Sequence, residues 1–180
     1  ALILSDDSTP NLKQRIAIKA QSAGLFIAGA NGMGFYNVRD RVLAGGFDTR
    51  DHPYPGNVAL ISQSGAGMSG IVDCEQRIQF NFAVSSGYEL TVAMEDYLDY
   101  ALDLPETRVV GLFLETSRYP EKLIQAFKKA NQLNIPIVVL KVGRTDLAAE
   151  LAISHSGALA GSDQCYSALF DQYGVQRVAD

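Results

Sequence analysis

Cysteine is scarce in this chain of 180 residues, with only Cys74 and Cys165. Two cysteines cannot build a disulfide framework. Both fall in helix-like segments and read as buried free thiols, as a reducing compartment would keep them. Long apolar runs are missing too: none approaches the roughly 20 residues that span a bilayer, and no secretory signal opens the chain. The expectation is a cytoplasmic protein with no membrane partner. Basic residues are outnumbered, 15 against 20 acidic, for a net charge of −5. That balance leaves no electrostatic footprint for nucleic acid. Histidine is as rare as cysteine, with two copies. Internal repeats and low-complexity segments are absent.

What is present is an ordinary globular composition. Hydrophobic residues make up 47% of the chain, enough for a sizeable core. The length suits one domain, or one domain with part of another. Residues 1–5 (Ala1-Leu2-Ile3-Leu4-Ser5) already read as a strand, so the chain is expected to open inside a domain of something larger.

Helical spacing follows at residues 12–23 (Leu12, Ile16, Ala20), with Gly24 as its stop. Residues 25–28 read as a short apolar strand, and residues 36–56, with Gly45-Gly46, Pro53 and Pro55, as an irregular linker. A regular alternation then begins. Strands are expected at residues 57–62, 80–84, 108–114, 135–141 and 175–178, with helices at about 65–78, 91–102 and 162–173 and another from Pro120 whose buried stripe is Leu123, Ile124, Phe127 and Ala130. A short helix is expected after Gly143-Arg144-Thr145. Pro120 suits the first position of its helix, and Gly174 the stop of the last. The Val/Ile/Leu-rich strands suit a sheet covered on both faces, so the fold class is α/β, a doubly wound parallel sheet. Ligands of such sheets sit beyond the carboxyl ends of the strands. Ser62, Ser64, residues 85–87, Glu115 and residues 141–144 stand at those ends.

One of the two histidines sits in Ser154-His155-Ser156-Gly157-Ala158-Leu159-Ala160-Gly161, among small residues and ahead of a helix that Ser162 or Asp163 could cap. Small residues let the backbone approach a ligand, and a helix N-terminus favours an anion. That combination suits a histidine that carries or receives a phosphoryl group, while the plainer reading is a solvated histidine on a glycine-rich turn. His52, beside two prolines, is expected to be structural or solvated. Gly65-Ala66-Gly67-Met68-Ser69-Gly70 fits G-x-G-x-x-G after a strand, but Ser85-Ser86-Gly87 stands where a dinucleotide site needs an acid, and Glu89 lies past that end. The loop therefore reads as an anion site, or as glycines that only allow tight packing. Glu115 could accept an imidazole Nδ1 proton and leave Nε2 as nucleophile, or be an ordinary surface acid. The tyrosines and phenylalanines, mostly at strand or helix spacing, read as core.

With His155, Glu115 and the Ser62-Gln63-Ser64-Gly65 loop in view, the chain resembles the NDP-forming acyl-CoA synthetase superfamily, of which succinyl-CoA synthetase is the best-known member. It is most similar to the ADP-forming acetate–CoA ligase type, which carries a Ser-His-(Thr/Ser)-Gly-Ala-Leu-Ala-Gly run. Residues 55–65 and 138–144 are two further matching blocks. The resemblance implies a flavodoxin-like ligase domain over 55–180, with residues 1–54 as the tail of a Rossmann-like CoA-binding domain plus linker. Gly29-Ala30-Asn31-Gly32-Met33-Gly34 would stand where the family has Gly-Pro-Asn-Cys-Leu-Gly.

By that resemblance His155 and Glu115 would be catalytic, His155 as the phosphohistidine. Ser62, Ser64, Gly65, Ala66, Ser154, Ser156 and Gly157 would bind phosphate. Asn31 and Gly32 would lie near CoA. The implied reaction interconverts acyl-CoA, phosphate and ADP with acid, CoA and ATP. The implied cofactors and partners are CoA, phosphate, ATP/ADP with magnesium, an acyl substrate and an ATP-grasp domain or subunit, in an oligomer. The other readings are a non-catalytic acyl-CoA-binding or regulatory module of the same fold and an NAD(P)-dependent oxidoreductase.

Overall fold

Alternating apolar strands and amphipathic helices build a single sheet with helices on both faces. The computed structural model describes residues 11–74, 77–143 and 163–178. Its elements run α1 (Leu12–Ser22), β1 (Gly34–Asn37), β2 (Val42–Gly45), β3 (Val58–Ser62), α2 (Gly65–Cys74), β4 (Phe80–Ser85) and α3 (Met94–Asp103). They continue with β5 (Val109–Leu114), α4 (Pro120–Leu133), β6 (Ile137–Lys141), α5 (Asp163–Tyr173) and β7 (Gln176–Val178). The expected strand at 1–5 and the short helix after Thr145 lie outside the described residues.

The sheet order is β2-β1-β4-β3-β5-β6-β7. The five strands from β3 to β7 are parallel, and the β1–β2 hairpin adds to β4 in the antiparallel sense. Taken alone, the parallel strands stand in the 2-1-3-4-5 order of flavodoxin-like sheets, whose topological switch point falls between the first and third. Here those two are β3 and β5.

Alternation along β3 sends Ala59 and Ile61 to one core and Leu60 to the other. The larger core packs α3, α4 and α5 on the sheet through Leu98, Leu123, Phe127 and Phe170. The smaller joins α2 to the opposite face through Met68 and Val72. Pro120 opens α4, whose amide at that point has no helical partner to lose, and Asn134 ends it in the left-handed region at φ 55°. At the start of α3 the Asp96 carboxylate accepts the Ala93 N–H at 2.9 Å.

Four segments differ from the reading of the sequence. Residues 36–56 are not wholly a linker, because their first half completes β1 and forms β2. Gly45 is part of the pairing: a Cβ there would meet the Met33 carbonyl at 2.3 Å, and one on Gly34 the Ala44 carbonyl at 2.1 Å. Glycine here lets two strands approach. Residues 25–28 form no strand, since the Ile27 amide donates to Thr91 Oγ1 at 2.7 Å and Leu25 and Phe26 stay exposed. With Thr91 engaged there, α3 begins at Met94. Helix α2 is described over Gly65–Cys74, and Ile78 lies outside any helix. Cys165 is exposed on α5, whose inward face is Tyr166 and Phe170.

His52 is structural, 2% exposed, with its ring edge-on to Tyr36 and Phe80 and no hydrogen-bond partner for either ring nitrogen among the described residues. Burial, reinforced by the Arg50 charge and only partly offset by Asp73 and Asp51, lowers its pKa below the ordinary 6.5. The unfolded chain therefore binds this proton more readily than the folded one. Stability contributed by neutral His52 is complete above pH 6.5 and drains away as the pH falls below it. Urea melts from pH 8 to pH 5 are expected to show a loss of stability that His52→Phe removes; parallel profiles for the two proteins would contradict this.

Candidate functional site

Helix α2 leaves the end of β3 toward one face of the sheet, and α4 follows β5 on the other. Between the two strand ends lies a cleft of about 260 Å³. Asn31, Gln63, Ser64, Gly65, Ala66 and Glu115 line it, with Met33, Gly87 and Tyr88. A larger hollow of about 660 Å³ sits at the β1 side among Phe26, Phe35, Phe82, Tyr97 and Tyr100. It is the more voluminous but mainly aromatic, and burial there pushes the Tyr97 phenol up to about 12, keeping it protonated. Polar groups converge in the smaller cleft, at the switch point where such sheets bind ligands.

The start of α2 supplies the anion-binding character. Ser64 Oγ accepts the Gly67 N–H at 3.1 Å, which makes Ser64 the cap of the helix. The Gly65 and Ala66 amides belong to the first turn, have no intrahelical acceptor and lie on the cleft. With the positive end of the helix dipole they favour a bound anion. Gly65 is needed for shape, since a Cβ there would stand 2.4 Å from Met33 Cγ. Ser62 is positioned differently from the expectation that its hydroxyl binds phosphate. It is fully buried, donates to the Ser64 carbonyl at 2.6 Å and accepts the Ser64 amide at 3.1 Å. Its hydroxyl is consumed in shaping the turn.

The turn at residues 29–34 closes the cleft from the β4 side. Tyr88 N–H donates to Ala30 C=O at 2.7 Å and Leu90 N–H to Gly29 C=O at 3.0 Å. Asn31, at φ 53°, lines the cleft. Gly32 lies against β4, where a Cβ would come within 2.7 Å of the Ser85 carbonyl.

Two residues carry more of this architecture than their places in the sequence suggest. Gln63 Oε1 accepts the amides of Glu115 (2.7 Å) and Thr116 (3.0 Å), while its Nε2 donates to the Thr116 carbonyl (2.7 Å) and to Glu89 Oε1 (3.0 Å). Glu89 is 6% exposed and also accepts from Ser86 Oγ (2.7 Å), the Met94 amide (3.1 Å) and Arg118 Nε (3.1 Å). Burial raises its pKa, and the Glu95 charge adds to this; hydrogen bonds from Ser86 and Gln63 and the Arg118 charge act against them. The sequence signal was a polar residue at a strand's carboxyl end for Gln63, and for Glu89 an acid just beyond one.

Glu115 stands where expected, at the end of β5, partly buried and on the cleft. Lys141, at the end of β6, is 1% exposed; its Nζ donates to the carbonyls of Glu115 (2.7 Å) and Val142 and lies 4.8 Å from the Tyr166 ring centre. Burial lowers its pKa. Tyr166 Oη accepts the Ser117 amide at 2.8 Å. His155, Ser154, Ser156 and Gly157 lie outside the described residues. The chain on either side of them, at Lys141 and Tyr166, meets the same rim as Glu115 and Ser117.

Residues 55–180 match the succinyl-CoA ligase like flavodoxin domain, and the chain belongs to that family. Among curated relatives, it is 31% identical over 176 residues to a 4-hydroxybutyrate–CoA ligase (ADP-forming) of Nitrosopumilus maritimus, covering 96% of this chain and 25% of that protein. It is 34% identical over 169 residues to the alpha subunit of acetate–CoA ligase (ADP-forming) I of Pyrococcus furiosus, covering 92% of this chain and 36% of the subunit. Among solved structures, a dinucleotide forming acetyl-coenzyme A synthetase 1 of Ca. Korarchaeum cryptofilum, in complex with phosphate and ADP, superposes with a TM-score of 0.84 at 29% identity. That match covers 99% of this chain and 39% of the other. The chain thus spans between a quarter and two fifths of these relatives. No helix among the described residues is long and apolar enough to cross a membrane.

Glu89 receives only donors, so an amide in its place sets one NH₂ against them. Glu89→Gln is expected to cost about 1–3 kcal/mol in urea denaturation; an unchanged midpoint would show that the carboxylate is not the hub of this network.

Proposed function

We propose that this chain is the phosphohistidine-bearing part of an ADP-forming acyl-CoA synthetase, with His155 the phosphoryl carrier and the cleft between β3 and β5 its receiving site. The observation that carries the reading is that one small cleft is lined both by the first turn of α2, whose amides have no intrahelical acceptor, and by Glu115. Amide dipoles hold a phosphoryl anion without a fixed cation, and a carboxylate at the rim fixes an imidazole tautomer. The His155 motif and the ADP-forming ligases among the relatives support the same reading.

In the reaction so read, phosphate displaces CoA from acyl-CoA and gives an acyl phosphate. Glu115 accepts the Nδ1 proton of His155, leaving the Nε2 lone pair for attack on phosphorus. The P–N bond forms as the bond from phosphorus to the acyl oxygen breaks, and the carboxylate departs as the free acid. Amides of Gly65 and Ala66, with Ser64, stabilise the transferring charge. The phosphoryl group then passes from Nε2 to ADP and forms ATP, and every step is reversible.

Asn31 and Gly32 lie toward CoA in this reading, and Ser154, Ser156 and Gly157 complete the phosphate contacts. Ser62 supports them through the turn. No group of three side chains suited to a metal gathers among the described residues. We assign magnesium and the nucleotide to a partner domain or subunit of ATP-grasp type. Residues 1–54 we read as the end of a CoA-binding domain and its connection, with the β1–β2 hairpin of that stretch carried on the sheet of the ligase domain, and the assembly as a cytoplasmic oligomer.

The test is labelling from ATP carrying γ-labelled phosphate, with magnesium and the nucleotide-binding portion present, in wild type and His155→Asn. Acid-labile, base-stable label in wild type and none in the variant is expected. No label in either would contradict the carrier role and favour an acyl-CoA-binding module without turnover.

A further inference from the structure

The regular sheet stops one residue short of Glu115. On one side the ladder from β3 ends with the Gln63 amide donating to Phe113 C=O at 3.1 Å. On the other, the ladder from β6 ends with the Val142 amide donating to Leu114 C=O at 3.0 Å. Both main-chain groups of Glu115 are then taken over by side chains of the neighbouring strands. Gln63 Oε1 accepts its N–H at 2.7 Å, and Lys141 Nζ donates to its C=O at 2.7 Å.

Each of these side chains is fixed in turn. The Gln63 amide group also grips both main-chain groups of Thr116 and is oriented by buried Glu89. Lys141 is fully buried and shares its ammonium with the Val142 carbonyl and the face of Tyr166. A fully buried lysine whose described hydrogen bonds run only to carbonyls is costly unless its placement does something, because burial penalises its charged form. What it does here is extend the sheet by one residue, in partnership with an amide that both donates and accepts.

We infer that Gln63 and Lys141 are a matched pair of positioning residues that carry the sheet past its last regular bond and set where the Glu115 carboxylate stands. The inference rests on the proposed role of Glu115 toward His155. Neither residue need touch the reacting atoms. Their effect passes through the main chain of Glu115, and displacement of a catalytic group by about 1 Å can cost on the order of 100-fold in rate.

The consequence is chemical as well as kinetic. A carboxylate held on the imidazole Nδ1 proton confines phosphorylation to Nε2, and a displaced one leaves both nitrogens open. The test uses the full-length protein with its nucleotide-binding portion and magnesium–ATP. It measures the labelling rate and, by phosphorus NMR, which nitrogen carries the phosphate. The proteins are wild type, Glu115→Gln, Gln63→Met and Lys141→Met, each with its thermal midpoint recorded.

The expected result is Nε2 label in wild type, dependent on Glu115. Either methionine variant, while still folded, should label about 10- to 100-fold more slowly and with some Nδ1 product. Folded methionine variants with the wild-type rate and only the Nε2 isomer would overturn the inference and leave the role of Glu115 intact. Loss of label that merely follows loss of fold in both variants would overturn it too, by making the residues structural. Unchanged labelling in Glu115→Gln, or no label in wild type, would instead remove the reading on which it stands.

Discussion

Parallel pairing of β3 with β5 is the constraint from which the site follows. β3 lies between β4 and β5, so the chain leaving its carboxyl end enters α2 on one face, while the chain leaving β5 enters α4 on the other. The two exits diverge and open a crevice between Ser62 and Leu114 that no helix among the described residues covers. Whatever the crevice binds meets the first turn of α2 on one wall and the residues just past β5 on the other. Each wall is anchored in a different core, so packing on both faces of the sheet holds the cleft.

The electrostatics of the cleft rest on dipoles more than on charges. Among the described residues lining it, Glu115 is the one charged side chain. The anion-attracting groups are amides of a helix start, fixed in direction by the Ser64 cap and by the turn that Ser62 organises. Preorganised amides of this kind stabilise a transferring phosphoryl group without trapping it as an ion pair would. Just behind the cleft, the buried Glu89 carboxyl group is engaged by Gln63, Ser86, the Met94 amide and Arg118. That network ties the ends of β3, β4 and β5 together from beneath.

The parts of this architecture visible in the sequence are those set by local pattern. The Val/Ile/Leu strands, the Pro120 start, the Gly174 stop and the strand-end positions of Ser64 and Glu115 all follow from spacing and from single-residue preferences. The β1–β2 hairpin was hidden because Gly34 and Gly45 resemble chain breakers, whereas their lack of a Cβ permits the pairing. Residues 25–28 have the composition of a strand, but their amide partner is a threonine hydroxyl 64 positions away. Residue type gave Ser62 and Ser64 equal standing, and only three-dimensional placement separates the hydroxyl buried in the turn from the residue on the cleft. The same holds for Gln63 and Glu89, whose importance lies in side-chain bonds across long sequence separations. Phe26 and Tyr54, expected in the core, are exposed at 87% and 77%, since hydrophobicity alone does not say which face of the chain the sheet will cover.

The central claim is that the first turn of α2, facing Glu115, is a phosphoryl-anion site. It is tested most directly by titrating inorganic phosphate into the nitrogen-15-labelled chain and following the backbone amides by NMR. Saturable shifts confined to residues 64–67 and the neighbouring Glu115 and Thr116 amides, lost in Gly65→Pro, are the predicted result. A saturable response centred elsewhere, or none at these amides at millimolar phosphate, would contradict the account.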